Sequence, residues 1–202
     1  MVRYLLQQKN PASHYVYIDL MIENIRQDSV ELQLAAWRPG RYELGNFTKL
    51  SKDLWKVDSK GCSSLKVSYS YYSAELNAGA CYADTRQVYM NPVHCCMCVK
   101  GRENEEHIIE LNVPDHYRIV SYHFLFQVMP QKFYHGVEHQ KNTVIAIGPG
   151  YSLNTAKTYE DVLGVSCHEL FHTWNIKFIR PAEMLPYDYT KENYARTGYV
   201  YE

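Results

Sequence analysis

The sequence lacks three features that would each define a class of protein. It has no run of about 18 consecutive apolar residues, the length that a membrane-spanning helix needs. It has no dense cluster of Lys and Arg, and its formal net charge is -1, so a basic surface for nucleic acid is not expected. The opening residues, MVRYLLQQ, are too polar for the core of a secretory signal. We therefore expect a soluble, cytoplasmic protein with no membrane span and no nucleic-acid partner.

The six cysteines do not form a regular pattern. Cys95, Cys96 and Cys98 crowd together directly after His94. Disulfide frameworks use cysteines spread along the chain, and structural zinc sites mostly use pairs separated by about two to four residues. The cluster is therefore interpreted as reduced thiols, buried or half-buried, rather than as disulfides or a metal site.

The first part of the chain has the alternation that marks half-buried strands. Apolar side chains occupy every second position in residues 30–36 and 65–72. Turn-forming pairs at residues 10–11 and 60–61 separate such segments. This pattern predicts an antiparallel, β-sandwich-like domain over residues 1–119.

The pattern changes after Ile119. Residues 122–129 and 143–147 are predicted to form buried strands, and a glycine- and proline-rich turn follows the second. Thr158, with Asp161 three residues later, is typical of a helix start, and no proline follows until after Trp174. We therefore predict an α+β chain whose second domain covers residues 120–202.

The predicted helix carries the motif His168-Glu169-Leu170-Phe171-His172. Residues four apart lie on one face of a helix, so both imidazoles can bind the same Zn²⁺. The adjacent Glu169 can then act as a general base towards water activated by the metal. The motif indicates metal-assisted hydrolysis, with Glu169 as the catalytic residue and His168 and His172 as metal ligands.

A third protein ligand to zinc is needed, and a downstream glutamate is typical of thermolysin-like enzymes. Glu192 lies 20 residues after His172, and Glu202 lies 30 residues after it. The spacing alone favours Glu192.

A second histidine pair, His135 and His139, matches an inverted zinc motif. Gly136 disfavours a helix there, so this segment is interpreted as a loop or strand edge without zinc. Glu138 in this segment could hold a positively charged amino group, while the strand at residues 143–147 pairs with a peptide backbone.

Residues 168–181, HELFHTWNIKFIRP, resemble the glycyl aminopeptidase family of gluzincin metallopeptidases. That family carries HE-F-H-W-N-K followed by Arg-Pro. Residues 136–139, GVEH, are similar to its G-x-E-H loop, and residues 37–42, WRPGRY, are similar to a motif of its N-terminal β domain. The three matches occur in the order found in the family.

The resemblance implies a specific set of metal ligands. The third zinc ligand of the family is the glutamate of an E-G-x-T-x-Y-Y segment, and Tyr199-Val200-Tyr201-Glu202 looks like the start of that segment. Zn²⁺ is then expected to bind His168, His172 and Glu202, which overrules the spacing argument for Glu192.

The resemblance also implies a substrate site. The G-x-E-H loop, with Gly136, Glu138 and His139, is expected to bind a peptide substrate, and Glu138 to recognise its free amino terminus. The family enzyme is expected to remove small amino-terminal residues.

The family continues well beyond Glu202, so the resemblance describes a truncated aminopeptidase with a partial thermolysin-like domain. Loss of one oxyanion donor typically lowers a rate by about a hundredfold to a thousandfold, and such donors are expected in the later half. Activity of this chain is therefore an open expectation. The alternative is a non-catalytic, zinc-containing module that binds peptides or proteins.

Overall fold

The computed structural model describes residues 1–38, 45, 54–118 and 124–200, and the chain divides into two compact units. Unit 1 contains Met1–Glu75, Ala80–Arg118 and Tyr189–Glu192, and unit 2 contains Leu76–Gly79, Ile119–Asp188 and Asn193–Glu202. Each unit therefore includes a short segment from the other side of residue 119, which are Tyr189–Glu192 in unit 1 and Leu76–Gly79 in unit 2.

Unit 1 is built from short strands. They are β1 (Val2–Gln7), β2 (Tyr15–Glu23), β3 (Ser29–Gln33), β4 (Leu54–Asp58), β5 (Ser64–Tyr72), β6 (Tyr82–Ala83), β7 (Val88–Tyr89), β8 (Cys98–Val99) and β9 (His107–Asn112), with helix α1 (Pro92–Cys95) before β8. One sheet has the order β5-β2-β1-β9 and a second the order β4-β3-β8, while β6 pairs with β7. The pairing is antiparallel except between β1 and β9, which run parallel.

The alternation in the sequence matches the burial in unit 1. Residues 30–36 alternate between buried and half-buried, and residues 64–72 alternate between exposed and half-buried. The inward side chains of both sheets meet in one apolar core, formed by Val2, Tyr4, Leu6, Val16, Ile18, Leu20, Ile22, Ile25, Val30, Leu32, Leu34, Cys81, Ala83, Cys95, Met97 and Val99. Two sheets that share a core form a sandwich-like arrangement, which confirms the predicted fold class.

Trp37, the first residue of the predicted N-terminal motif, is anchored inside unit 1. Its side chain is fully buried, and its backbone N–H donates to the carbonyl oxygen of Tyr189 at 3.1 Å. The N–H of Ala36 donates to the same oxygen at 2.9 Å. The rest of the motif, residues 39–42, lies outside the described residues.

Unit 2 has one described sheet and one long helix. The strands are β10 (Phe124–Val128), β11 (Phe133–Glu138) and β12 (Thr143–Gly148), and the helix is α2 (Ala156–Phe171), with 3-10 turns at Gly150–Ser152, Ala182–Met184 and Gly198–Val200. The sheet order is β10-β12-β11, so β12 is central, parallel to β10 and antiparallel to β11. Every residue of β12 is buried, as expected for a central strand covered by a helix.

Three predictions for unit 2 need correction. Residues 122–129 were predicted to form a buried strand, but β10 is an edge strand of the described sheet and exposes Leu125, Phe126 and Val128; residues 122–123 lie outside the described residues. The strand at 143–147 was predicted to pair with a peptide, but both edges of β12 are already occupied by its neighbours. The helix begins at Ala156, and its N-cap is Thr155 rather than Thr158.

Among the residues that the structure describes, no helix is both long enough and apolar enough to cross a membrane.

Candidate functional site

Helix α2 carries the predicted zinc motif in its last turn. The side chain of Thr155 caps the helix by accepting a hydrogen bond from the N–H of Thr158 at 3.3 Å. At the other end, His172 is the C-cap residue, and its N–H donates to the carbonyl oxygen of His168 at 3.3 Å. The two histidines therefore stay one helical turn apart, as their spacing predicted.

The imidazoles of His168 and His172 converge on one point. Their Nε2 atoms are 2.9 Å apart, and the ring planes are nearly perpendicular, at 86°. The Nδ1 atom of His172 lies 3.1 Å from the carbonyl oxygen of Asn175. Because a carbonyl oxygen only accepts, Nδ1 carries the proton and the Nε2 of His172 presents a lone pair.

This donor pair fits a divalent metal ion. Two nitrogens bound tetrahedrally to one zinc lie about 3.3 Å apart, close to the separation of these two Nε2 atoms. The hydrogen bond from His172 to Asn175 is the outer support that metal-binding histidines usually have. The histidine pair can therefore supply two ligands.

The structure does not describe a complete ligand set. Glu202, the third ligand implied by the family resemblance, lies outside the described residues. Within the described ranges, no group of three or more His, Cys, Asp and Glu side chains could hold a metal ion. The assignment of Glu202 stays a prediction.

Glu169 is buried against β11. Its side chain is only 4% exposed although it sits on a helix whose neighbouring residues face solvent. A Cβ atom built on Gly136 would lie 2.2 Å from Oε1 of Glu169 and 2.7 Å from its Cγ. Gly136 is therefore a glycine because any side chain there would displace the carboxylate of Glu169.

Glu138 lies two residues further along β11 and is paired with a lysine. The Nζ atom of Lys177 is 2.9 Å from Oε1 of Glu138, and both side chains are largely withdrawn from solvent. Burial raises the pKa of Glu138, but the Lys177 ammonium, together with a backbone hydrogen bond and His172, lowers it by more, so the pKa of this carboxyl is below its usual value. Glu138 is therefore an ionised carboxylate inside unit 2.

The other predicted residue of this loop, His139, lies in the turn that joins β11 to β12. Its backbone N–H donates to the carbonyl oxygen of Asn142 at 2.8 Å, and its side chain is half-buried. The segment around His135 and His139 is a strand followed by a turn, in agreement with the interpretation that the inverted motif is not helical.

Sequence reasoning missed two residues near Glu138. Lys177 lies inside the matched segment 168–181, but no spacing rule connects it to Glu138, which lies 39 positions earlier. Burial raises the pKa of Tyr187; Arg180 opposes that shift, and the charge of Glu138 adds to it. The charge of Glu138 thus also acts on the phenol of Tyr187.

The arrangement has a definite chemical capacity. A pair of histidine nitrogens can hold a Lewis-acidic metal, a buried carboxylate lies next to one of them in sequence, and a second carboxylate lies on the adjacent strand. Together with a third metal ligand, these groups are suited to metal-assisted hydrolysis of a substrate with an amino group.

Comparison with known families identifies the class. The model of the peptidase M61 N-terminal domain matches residues 3–50 and 45–132, and the model of the M61 glycyl aminopeptidase matches residues 161–202. The chain belongs to the M61 glycyl aminopeptidase family, a family of metallopeptidases. No curated protein sequence matches the chain.

A solved structure supports the fold. The chain is similar to an aminopeptidase N family protein from Idiomarina loihiensis, with a TM-score of 0.85 and 20% sequence identity. The match covers 100% of this chain and 52% of that chain, so this chain spans about half the length of that protein. At this identity the likeness shows a shared fold.

Proposed function

We propose that this chain carries the zinc-binding part of an aminopeptidase that removes small residues from the amino termini of peptides. The observation that carries the proposal is the convergence of the Nε2 atoms of His168 and His172, 2.9 Å apart, beside the buried Glu169. Membership in the M61 family supports peptides as the substrate class.

His168 and His172 would hold zinc together with Glu202. When bound, zinc supplies a Lewis acid that lowers the pKa of water and polarises a carbonyl group. The carbonyl oxygen of Asn175 keeps the Nδ1 proton of His172 in place, so Nε2 remains available as a ligand.

Glu169 is the proposed general base. Its carboxylate accepts a proton from the attacking water and returns it to the leaving amine. The missing side chain at Gly136 leaves the space that this carboxylate occupies, and burial excludes competing water molecules. The role of Glu169 thus depends on a glycine of the neighbouring strand.

Glu138 and strand β11 would orient the substrate. Glu138 provides a negative charge for the amino terminus, and Gly136 and His139 flank it on the same segment. In the described sheet, β11 is an edge strand, whereas β12 is not. A peptide would therefore add as a strand beside β11 rather than beside β12.

The first test is metal content. The purified chain is dialysed and its zinc measured by elemental analysis, beside Glu202→Ala and Glu192→Ala variants. We expect about one zinc per chain, lost with Glu202→Ala and retained with Glu192→Ala. Absence of zinc from the parent chain contradicts the proposal, and loss of zinc only with Glu192→Ala contradicts the assignment of Glu202.

The second test separates catalysis from binding. Glu169→Gln should retain zinc and lower the hydrolysis of glycyl and alanyl peptides by about a hundredfold to ten-thousandfold. Glu160→Gln, at an exposed position of the same helix, is the matched control and should hydrolyse normally. A parent chain that binds zinc and peptide but shows no hydrolysis supports the non-catalytic module instead.

A further inference from the structure

We propose that Lys177 competes with the substrate for Glu138, so that binding of a peptide exchanges the lysine ammonium for the amino terminus of the peptide. This inference rests on the proposed function, because it takes Glu138 as the group that receives the substrate amine. It assigns to Lys177 a role in setting affinity and specificity.

The geometry places the lysine ammonium where a substrate amine would bind. Nζ of Lys177 lies 2.9 Å from Oε1 of Glu138, and the two side chains are 16% and 9% exposed. A primary ammonium on a flexible stem has the same charge and hydrogen-bonding capacity as the amino terminus of a peptide. The pair is therefore an internal version of the proposed enzyme–substrate contact.

The backbone holds Lys177 beside the metal-binding helix. The N–H of Lys177 donates to the carbonyl oxygen of His172 at 3.3 Å, and the N–H of Ile176 donates to the carbonyl oxygen of Ile179 at 2.9 Å. Ile176 is buried and has a φ of 104°, which a β-branched residue rarely adopts. The turn is therefore shaped so that the residue after Ile176 faces Glu138.

Charge balance makes exchange more favourable than sharing. One carboxylate and one ammonium already neutralise each other in a mostly buried position. A substrate ammonium added to the same carboxylate would bring a second positive charge close to Lys177, beside a metal that is also positive. Movement of the flexible lysine stem towards solvent restores one ammonium per carboxylate.

Exchange and a purely structural ion pair predict opposite results. Under exchange, removing the lysine charge frees Glu138 and tightens binding of peptides with a free amino terminus. If the pair only fixes Glu138 in position, removing the lysine leaves the carboxylate less ordered and weakens binding of the same peptides.

Binding is measured in the zinc-loaded Glu169→Gln chain, because no turnover then disturbs the equilibrium. Calorimetry gives the Kd of a glycyl tripeptide and of its N-acetylated form, with and without Lys177→Met. We expect Lys177→Met to tighten binding of the free peptide about tenfold and to leave the acetylated peptide unchanged. The matched control is Lys157→Met, since Lys157 forms an exposed ion pair with Asp161 on α2 at 2.9 Å.

A second variant keeps the test decisive if Lys177→Met does not fold. In Lys177→Arg the guanidinium can pair with Glu138 in a bidentate manner, which makes it a stronger competitor. Binding of the free peptide should then weaken, while binding of the acetylated peptide should not change. Unchanged or weaker binding with Lys177→Met, or tighter binding with Lys177→Arg, overturns the exchange.

The two hypotheses fail in different ways. If the free peptide binds no better than the acetylated peptide, and Glu138→Gln changes neither, the amine site itself is wrong and the exchange falls with it. If the free peptide is preferred and Glu138→Gln abolishes that preference, the proposed function stands. Only the effect of Lys177→Met then decides the exchange.

Discussion

Unit 1 encloses an apolar core between its sheets, whereas the two buried carboxylates among the described residues, Glu138 and Glu169, both lie in unit 2. In the core of unit 1, the hydroxyl of Tyr4 donates to the carbonyl oxygen of Met97 at 2.7 Å. In unit 2, Ile145, Ile147 and Val165 form a buried apolar cluster. Buried apolar positions in unit 1 thus serve stability, and the buried Glu138, Glu169 and His172 of unit 2 are those with proposed chemical roles.

Unit 2 also exposes large apolar side chains at its surface. Around the end of α2, Phe171, Trp174, Phe178 and Ile179 are between 54% and 79% exposed. Clusters of exposed large apolar side chains are typical of contact surfaces rather than of a self-contained core. The comparison therefore predicts that core changes in unit 1 alter folding, whereas small changes in unit 2 alter activity.

The largest expected effect is on the core of unit 1. Leu20 is fully buried on β2, so Leu20→Ala should lower the free energy of unfolding by about 2–5 kcal/mol, measured by urea denaturation. Ile109→Ala, at a position 44% exposed on β9, should have a much smaller effect. Loss of zinc from folded Leu20→Ala chains would contradict the expectation that core changes in unit 1 alter folding alone.

Gly136→Ala in unit 2 should lower activity strongly and stability only slightly. The new methyl group displaces Glu169, and a misplacement of about 1 Å can lower a rate by about a hundredfold, while the flexible carboxylate moves at little cost in stability. Peptide hydrolysis and thermal unfolding are measured together. Gly164→Ala on α2 is the control, because its methyl group would meet nothing within 4 Å.

A moderate effect is expected at the start of α2. Thr155→Ala removes the cap and should lower stability by about 1 kcal/mol, seen as an earlier thermal transition of the helix. Thr158→Ala should be milder, because Thr158 donates its N–H to the cap rather than acting as the cap. A larger effect of Thr158→Ala would restore the helix start that the sequence predicted.

The smallest effect concerns an exposed ion pair of unit 1. The hydrogen bond from Arg102 lowers the pKa of Glu105 to about 2, from an ordinary value of 4.5. A lowered folded-state pKa stabilises the protein above pH 4.5, and this contribution is lost as the pH falls towards 2. Glu105→Gln should flatten the stability profile between these pH values, measured by acid titration of the fold.

Glu106→Gln provides the control for that titration, because Glu106 makes no ion pair within the described part of the chain. It should leave the acid profile as in the parent. An equal flattening with Glu106→Gln would attribute the effect to net charge rather than to the Arg102 pair.

Local patterns in the sequence predicted much of the fold. The alternation at residues 30–36 and 65–72 identified strands and their inward faces, since neighbouring side chains of a strand point to opposite sides. The four-residue spacing of His168 and His172 predicted their convergence, since residues four apart lie on the same face of a helix. Such features depend on backbone geometry within one element, which the local sequence determines.

Contacts between elements were not predictable in this way. The spatial order of β10, β12 and β11 decided that both edges of β12 are paired, although the sequence analysis expected this strand to pair with a peptide. The prediction that β10 is buried was wrong, because an apolar run does not reveal whether a strand is central or at an edge.

By itself, then, the sequence determined a β-rich first part, a helix with two histidines on one face, and a family resemblance that the family models confirm. Only the tertiary structure decided that Gly136 makes room for Glu169 and that Lys177 reaches Glu138. Residues far apart in sequence meet only after strands have paired and α2 has packed on them. Spacing along the chain does not predict which of them come into contact.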